Sequence, residues 1–220
     1  MELIAKLSDT ALFLREVFSQ PRQVGAIMPS SRNLAAAMAR WLPEDPEAYV
    51  LELGPGTGAV TEALLNQGLA ENRLIAIEKS PKLAEHLRRR FPRSLFITGD
   101  ALHLDRLLAR QARRAMPVAA VVSSLPLLNF DPRTAQRLVN KIQSILTPTG
   151  RLVQYSYHLG NKRSKSLAAF KQKASDIVWL NLPPARVTVY EMLGLARAAR
   201  KDRGQRLRPE EREAALVGAA

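Results

Sequence analysis

The sequence predicts an α/β domain: a mostly parallel, doubly wound, seven-stranded sheet with helices on both faces and an antiparallel strand at one edge. Three observations predict it. An apolar run, Tyr49-Val50-Leu51-Glu52-Leu53, opens directly into Gly54-Pro55-Gly56-Thr57-Gly58. Two later apolar runs end in carboxylates, Arg73 to Ile77 at Glu78 and Ser94 to Thr98 at Gly99-Asp100. Beyond the glycines, segments of helical character alternate with such runs at the spacing of parallel β–α units.

From the amino end, Glu2 to Ser19 places Leu3, Leu7, Leu14 and Phe18 along one helical face, with Ile4, Ala11 and Val17 beside them. Such a helix either packs on its own domain or lies with its apolar side among lipid headgroups. Gly25 to Asn33 turns the chain into a helix from Asn33 to Trp41, for which Ser30 or Ser31 is the N-cap. A helix start bearing hydroxyls and Arg32 also suits a phosphate group. After the first strand, helices are expected at Thr57 to Gly68, at Pro81 to Phe91 with proline in the first turn, and at Leu102 to Ala115. Val118 to Val122 reads as a buried fourth strand, Pro132 to Leu146 as a helix and Gly150 to Tyr157 as a fifth strand. Ile177 to Leu180 and Arg186 to Tyr190, separated by Asn181 to Ala185, read as an antiparallel edge pair. Arg197 to Ala220 mixes both charge signs, as in a frayed helix or tail. The expected organisation is an amino-terminal helical segment (1–42), a core (43–192) and a basic tail (193–220).

A chain of 220 residues with 46% hydrophobic content suits one domain with modest additions. Its apolar stretches fall well short of the roughly 20 residues that a membrane-spanning helix needs. Met1 to Lys6 lacks a basic segment leading into an apolar core, so secretion is not expected and a cytoplasmic location is. Zero cysteines exclude disulfides and thiolate chemistry, and three scattered histidines give no metal-ligand spacing. A formal net charge of +13 and a pI near 10.7 call for an anionic partner, either nucleic acid or an acidic membrane. Arg88-Arg89-Arg90 and Arg110, Arg113 and Arg114 read as solvated helix faces. Lys162, Arg163, Lys165, Lys171 and Lys173 form a run without acids after the fifth strand, expected near the ligand edge of the sheet. Each such residue near an anionic bilayer contributes about 1 kcal/mol.

The glycine spacing is G-x-G-x-G, not the G-x-G-x-x-G of a dinucleotide site, and acids flank it on three strands. This is a departure from the phosphate-cradling pattern. Glu52, inside an otherwise apolar strand, would be costly without a partner. The pattern E-L-G-P-G-T-G, followed by an acidic strand end and a G-D, resembles the class I S-adenosylmethionine-dependent methyltransferases and their Rossmann-like fold. The resemblance implies that Gly54, Gly56 and Gly58 turn beneath the amino acid part of S-adenosyl-L-methionine while Glu52 helps hold its ammonium. It assigns the ribose hydroxyls to Glu78 and adenine to Asp100, with Thr57, Lys79, Ala101 and Ser124 completing the cofactor set.

The exit of the fourth strand reads Ser123-Ser124-Leu125-Pro126-Leu127-Leu128-Asn129-Phe130. Enzymes that methylate an exocyclic base nitrogen resemble Asn-Pro-Pro-Tyr or Asn-Leu-Pro-Tyr there, with an amide for the amino group and a ring to stack on the base. Ser124 and Leu127 stand at those places here, with Asn129 and Phe130 one step later. Together with Leu12 to Phe18, Val24 to Arg32 and Asn181 to Ala185, this stretch resembles the bacterial phospholipid N-methyltransferases, over about Leu12 to Tyr190. The resemblance implies a peripheral enzyme on the inner face of an anionic membrane. It methylates the amine headgroup of a phosphatidylethanolamine- or ornithine-lipid-type substrate and releases S-adenosyl-L-homocysteine. Ser30, Ser31, Arg32, Leu125, Pro126 and Leu127 are then expected to hold the lipid. Tyr155, Tyr157 and His158 are the catalytic candidates, each as base, water-orienting group or cation–π wall. No metal and no stable protein partner are expected. The alternatives are an rRNA adenine N6-methyltransferase-like enzyme and a noncatalytic protein of the same fold.

Overall fold

The computed structural model describes residues 31–111, 117–159, 165–181 and 183–192. Seven strands form one sheet: β1 (Tyr49–Leu53), β2 (Leu74–Glu78), β3 (Leu95–Thr98), β4 (Val118–Ser123), β5 (Leu146–Ser156), β6 (Phe170–Val178) and β7 (Ala185–Met192). Their order is β3-β2-β1-β4-β5-β7-β6. The first five strands pair in parallel, and β7 lies antiparallel between β5 and β6. Strand order reverses between β1 and β4, and the crevice outside their carboxyl ends is where an open α/β sheet takes its ligand.

Local chemistry explains where the helices begin. Ser31 caps α1 (Arg32–Ala39) by accepting the Leu34 N–H at 3.2 Å. Gly58, in the left-handed region, opens α2 (Ala59–Asn66). Ser80 caps α3 (Pro81–Arg90), whose first residue is proline and whose last turn carries three arginines at the negative end of the helix dipole. Asp100 caps a short 3-10 turn, Ala101–His103, so the third expected helix divides into that turn and α4 (Leu104–Gln111). Asp131 caps α5 (Pro132–Ile145), and β5 follows it directly.

Alternate strand residues feed two apolar layers. On one face Leu51, Leu53, Ile75, Ile77 and Val121 meet Leu104, Leu138, Val139 and Ile142 from α4 and α5. On the other, Val50, Val122, Val153, Tyr155, Val187 and Val189 meet Leu34, Met38, Val60 and Leu64 from α1 and α2. Helix α1 thus belongs to the core, and the boundary expected at residue 42 does not divide the packing.

Strand β6 departs from expectation. It runs from Phe170 to Val178 rather than from Ile177 to Leu180, and Trp179 and Leu180 lie in the turn that follows. Its Lys171, Lys173 and Asp176 are charges that an edge strand accommodates and a central strand does not. Lys171 and Lys173 therefore sit at the start of an outer strand parallel to β5, at the end of the sheet away from the crevice, with Lys173 paired to Glu191 at 2.5 Å. These two lysines are therefore not part of a cluster at the ligand edge. Lys162, Arg163, Arg113 and Arg114, the amino-terminal segment with Leu3, Leu7, Leu14 and Phe18, Ser30 and the tail from 193 lie outside the described residues.

Candidate active site

At the carboxyl end of β1 the chain turns through Gly54, Gly56 and Gly58 with φ of +72°, +59° and +88°, a region that L side chains rarely enter. The turn is held from both sides: Gly54 N–H donates to the Ile77 carbonyl at 3.0 Å and Ser124 N–H to the Leu53 carbonyl at 2.9 Å. A Cβ on Gly54 would come within 2.9 Å of the Leu125 side chain, so the β4 exit rests against the turn itself. Thr57 is buried, and its carbonyl accepts from Arg90 at 3.2 Å. Arg90 also pairs with Glu62 at 3.0 Å, and Arg88 bonds the Phe96 carbonyl and the Thr98 hydroxyl. Arg89 pairs with Glu85 at 3.2 Å, so all three arginines bind their own fold rather than only water.

Glu78 receives two backbone amides, Gly56 N–H on Oε2 at 3.0 Å and Ser80 N–H on Oε1 at 2.8 Å. The end of β2 thereby positions the middle of the glycine turn. Asp100 accepts the Leu102 N–H at 2.9 Å, and Lys79 lies 3.2 Å from its other oxygen. Burial alone would raise the Asp100 carboxyl, but the Leu102 bond and the Lys79 ammonium outweigh it and hold it below the usual range. Ala101 follows at the base of the same turn.

Glu52 is fully buried. Thr61 donates its hydroxyl to Oε2 at 2.6 Å, while Oε1 is enclosed without a partner. Desolvation pushes its carboxyl up to about 8, the Thr61 hydrogen bond opposes this, and the Glu78 charge adds to it. A buried orphan acceptor beside a glycine turn is a group awaiting a donor. With Glu78 and Asp100 it forms a set suited to an ammonium and to hydroxyls.

On the other side of the crevice, Gln154 in β5 donates to the Leu125 carbonyl at 2.7 Å and to the Tyr155 carbonyl at 2.8 Å, with its Oε1 enclosed and unpartnered. Gln154 did not figure among the expected site residues. Its signal was of the same kind as that of Glu52, a polar residue set between the apolar pair Leu152-Val153 and Tyr155. Leu125 is half-buried over Gly54, and Pro126 leads into a 3-10 turn, Leu127–Asn129. Leu127 is 3% exposed and packs within the apolar core.

Tyr155 and Tyr157 share one face, their rings edge to face with centroids 5.6 Å apart. Tyr155 is 5% exposed and part of the core, whereas Tyr157 is half-buried. Burial raises the Tyr157 phenol, against hydrogen bonds with the side chains of Tyr155 and Asn181. Asn181 in turn accepts the Ser31 N–H at 3.2 Å, so the start of α1 joins the tyrosines through one amide. Arg32 is exposed on the first turn of α1. The His158 side chain is exposed; its main-chain N–H donates to the Ser156 hydroxyl at 2.9 Å. Among the described residues no group of His, Cys, Asp or Glu is placed to hold a metal ion, and no helix is long and apolar enough to cross a membrane.

Residues 50–150 match the family model of a methyltransferase domain. The chain is 31% identical over 151 residues to an ornithine lipid N-methyltransferase of Singulisphaera acidiphila, covering 67% of this chain and 78% of that relative. It is 39% identical over 108 residues to a ribosomal RNA small subunit methyltransferase A of Ruegeria pomeroyi, covering 45% of this chain but 38% of that one. Among solved structures, the 1,6-didemethyltoxoflavin-N1-methyltransferase of Burkholderia thailandensis, crystallised with S-adenosylhomocysteine, superposes with a TM-score of 0.59 at 19% identity, covering 83% of this chain and 88% of that chain. The family match starts within β1 and ends within β5, so it spans the strands whose ends form the crevice: the chain belongs to the class I S-adenosylmethionine-dependent methyltransferases, and S-adenosylmethionine is its methyl donor.

Proposed function

We propose that this enzyme is an N-methyltransferase for the amine headgroup of a membrane lipid, of phosphatidylethanolamine or ornithine lipid type, working at an anionic membrane surface on the cytoplasmic side. The observation that carries the reading is the extent of similarity to the ornithine lipid enzyme, 78% of whose length is covered against 38% for the ribosomal RNA enzyme. The β4 exit supports it, since Ser124, Leu125 and Pro126 offer neither an amide for an exocyclic amino group nor a ring for a base. The net charge of +13 supports it too.

When bound, S-adenosylmethionine supplies an activated methyl group. The residues of the chain position and desolvate. Glu52, Glu78 and Asp100 hold the donor, the glycine turn lets it approach the backbone, and Leu125 against Gly54 keeps water from the seam. A primary ammonium with a pKa of about 10 must lose a proton before it reacts. Tyr157 is a poor acceptor for that proton because burial keeps its phenol neutral, so its role is to orient the amine by hydrogen bonding and by its ring face. His158, exposed at the end of β5, is the group able to pass the proton to solvent. Ser31 and Arg32 at the start of α1, with Ser30 before them in sequence, serve the anionic group of the headgroup, a phosphate in the phosphatidylethanolamine type and a carboxylate in the ornithine type.

A second reading, an rRNA adenine N6-methyltransferase-like enzyme, draws on the match to the Ruegeria pomeroyi relative. Incubation with radiolabelled donor, bacterial lipid and RNA separates the two. Label in the organic extract, resolved by headgroup on thin-layer plates, supports lipid methylation; label in RNA overturns it; a protein that binds the donor and labels neither is a noncatalytic member of the fold.

A further inference from the structure

Among the described residues, the large hydrophobic side chains left exposed are Trp179 at 68% and Leu180 at 80%, side by side in the β6–β7 turn. The turn is braced. Asn181 N–H donates to the Val178 carbonyl at 3.3 Å, and the Asn181 side chain donates to the Pro183 carbonyl at 2.6 Å while accepting the Ser31 N–H. Asn33 donates to the Leu180 carbonyl at 3.3 Å. Helix α1, which carries Ser31 and Asn33, is itself anchored in the core through Leu34 and Met38. The backbone of the tip is therefore bonded in place while its two apolar side chains are left in water.

Its position matters as much as its exposure. Strand β6 is antiparallel to β7, as β5 is, so the tip stands at the carboxyl ends of β5 and β6, on the crevice edge of the sheet. Asn181 links it to Tyr157. Two side chains are far too small for a specific protein interface, which buries on the order of 1,000 Å² or more. They suit a bilayer surface, where a tryptophan ring sits at headgroup level and a cationic protein is drawn to anionic lipid. The charge of +13 supplies the second condition.

We propose that the Trp179–Leu180 tip enters the headgroup layer of an anionic bilayer and sets the crevice edge against the lipid. The proposal rests on the lipid-amine reading above and adds the element that presents the site to its substrate. The chain has two tryptophans, so Trp41→Phe leaves Trp179 as the sole emitter. With vesicles of equal parts phosphatidylcholine and phosphatidylglycerol, Trp179 emission shifts to the blue and is quenched when the acyl chains are brominated. In the full chain, W179S/L180S binds these vesicles about tenfold more weakly, the effect of losing roughly one buried apolar side chain, with S-adenosylmethionine affinity unchanged. Co-sedimentation with vesicles without quenching overturns the proposal, as does the absence of vesicle binding. Emission already blue and shielded from acrylamide in buffer also overturns it, because another part of the chain or a second copy then covers the tip. Methyl transfer to lipid dispersed in detergent micelles is scored separately: quenching without transfer refutes the lipid-amine reading alone, and transfer without quenching refutes the tip alone.

Discussion

On the β1–β3 side of the crevice, the hydrogen bonds that shape the site join residues close in sequence: Thr61 to Glu52, Gly56 to Glu78 and Leu102 to Asp100. On the β5–β7 side they join distant segments: Ser31 to Asn181, Asn33 to Leu180 and Arg40 to Asp176. The donor half is a series of strand–turn units, each carrying its own acid. The other half, proposed above for the acceptor, exists only once α1 has docked on the closed sheet. Donor binding in such a protein should answer to single residues, and acceptor binding to whole-fold assembly.

The sharpest test of the donor half is the stability of the ligand-free chain against pH. Glu52 titrates near about 8 when folded and near 4.5 when exposed, so the folded state holds the extra proton between these values. The contribution of Glu52 to stability is therefore full below about pH 4.5, falls as pH rises through the folded value, and levels off above it, a span on the order of 3–5 kcal/mol. Glu52→Gln flattens that slope in thermal melts from pH 5 to 9; an unchanged slope removes the buried proton from the account. Next in size, Glu78→Ala leaves the Gly56 and Ser80 amides without their acceptor, and calorimetry should show donor affinity weakened by roughly 30- to 100-fold. Asp100→Ala gives up one ligand and one cap, and about tenfold is expected. Wild-type affinity in both variants rejects these acids as ligands.

The smallest effect is the one that tests the contrast itself. Asn181→Ala removes bonds to Ser31, Pro183 and Tyr157 and should lower stability by about 1–2 kcal/mol in urea melts, with donor affinity unchanged and lipid methylation reduced. A loss of donor affinity comparable to that of Asp100→Ala would mean that the two halves are one unit.

The same contrast explains what could be read from the chain. Glycines alternating after an apolar run, and acids closing the next two runs, are local signals, and the β1–β3 half follows from them. Strand β6 was hidden because Lys171, Gln172, Lys173, Ser175 and Asp176 read as loop chemistry, although an outer strand with one wet face tolerates them. Trp179 and Leu180 suffered the reverse error: Ile-Val-Trp-Leu has strand propensity, yet its second half lies in a turn. The place of Leu127 after β4 was legible, whereas the burial of its side chain in the apolar core was not. Gln154 carried a legible signal, an amide set between apolar neighbours, but without glycines beside it the carbonyl that it secures could not be named from sequence.

Leu125 occupies the space that a side chain on Gly54 would need. The donor turn and the loop after β4, proposed above to meet the acceptor, thus share a common wall, one residue thick. Enlarging residue 125 disturbs both ligands together, whereas changes from Pro126 onward leave the turn untouched. If the proposed lipid-amine reading holds, retargeting this scaffold to a different acceptor is a matter for the outer loop, and position 125 marks the limit of what can be redesigned without losing the donor.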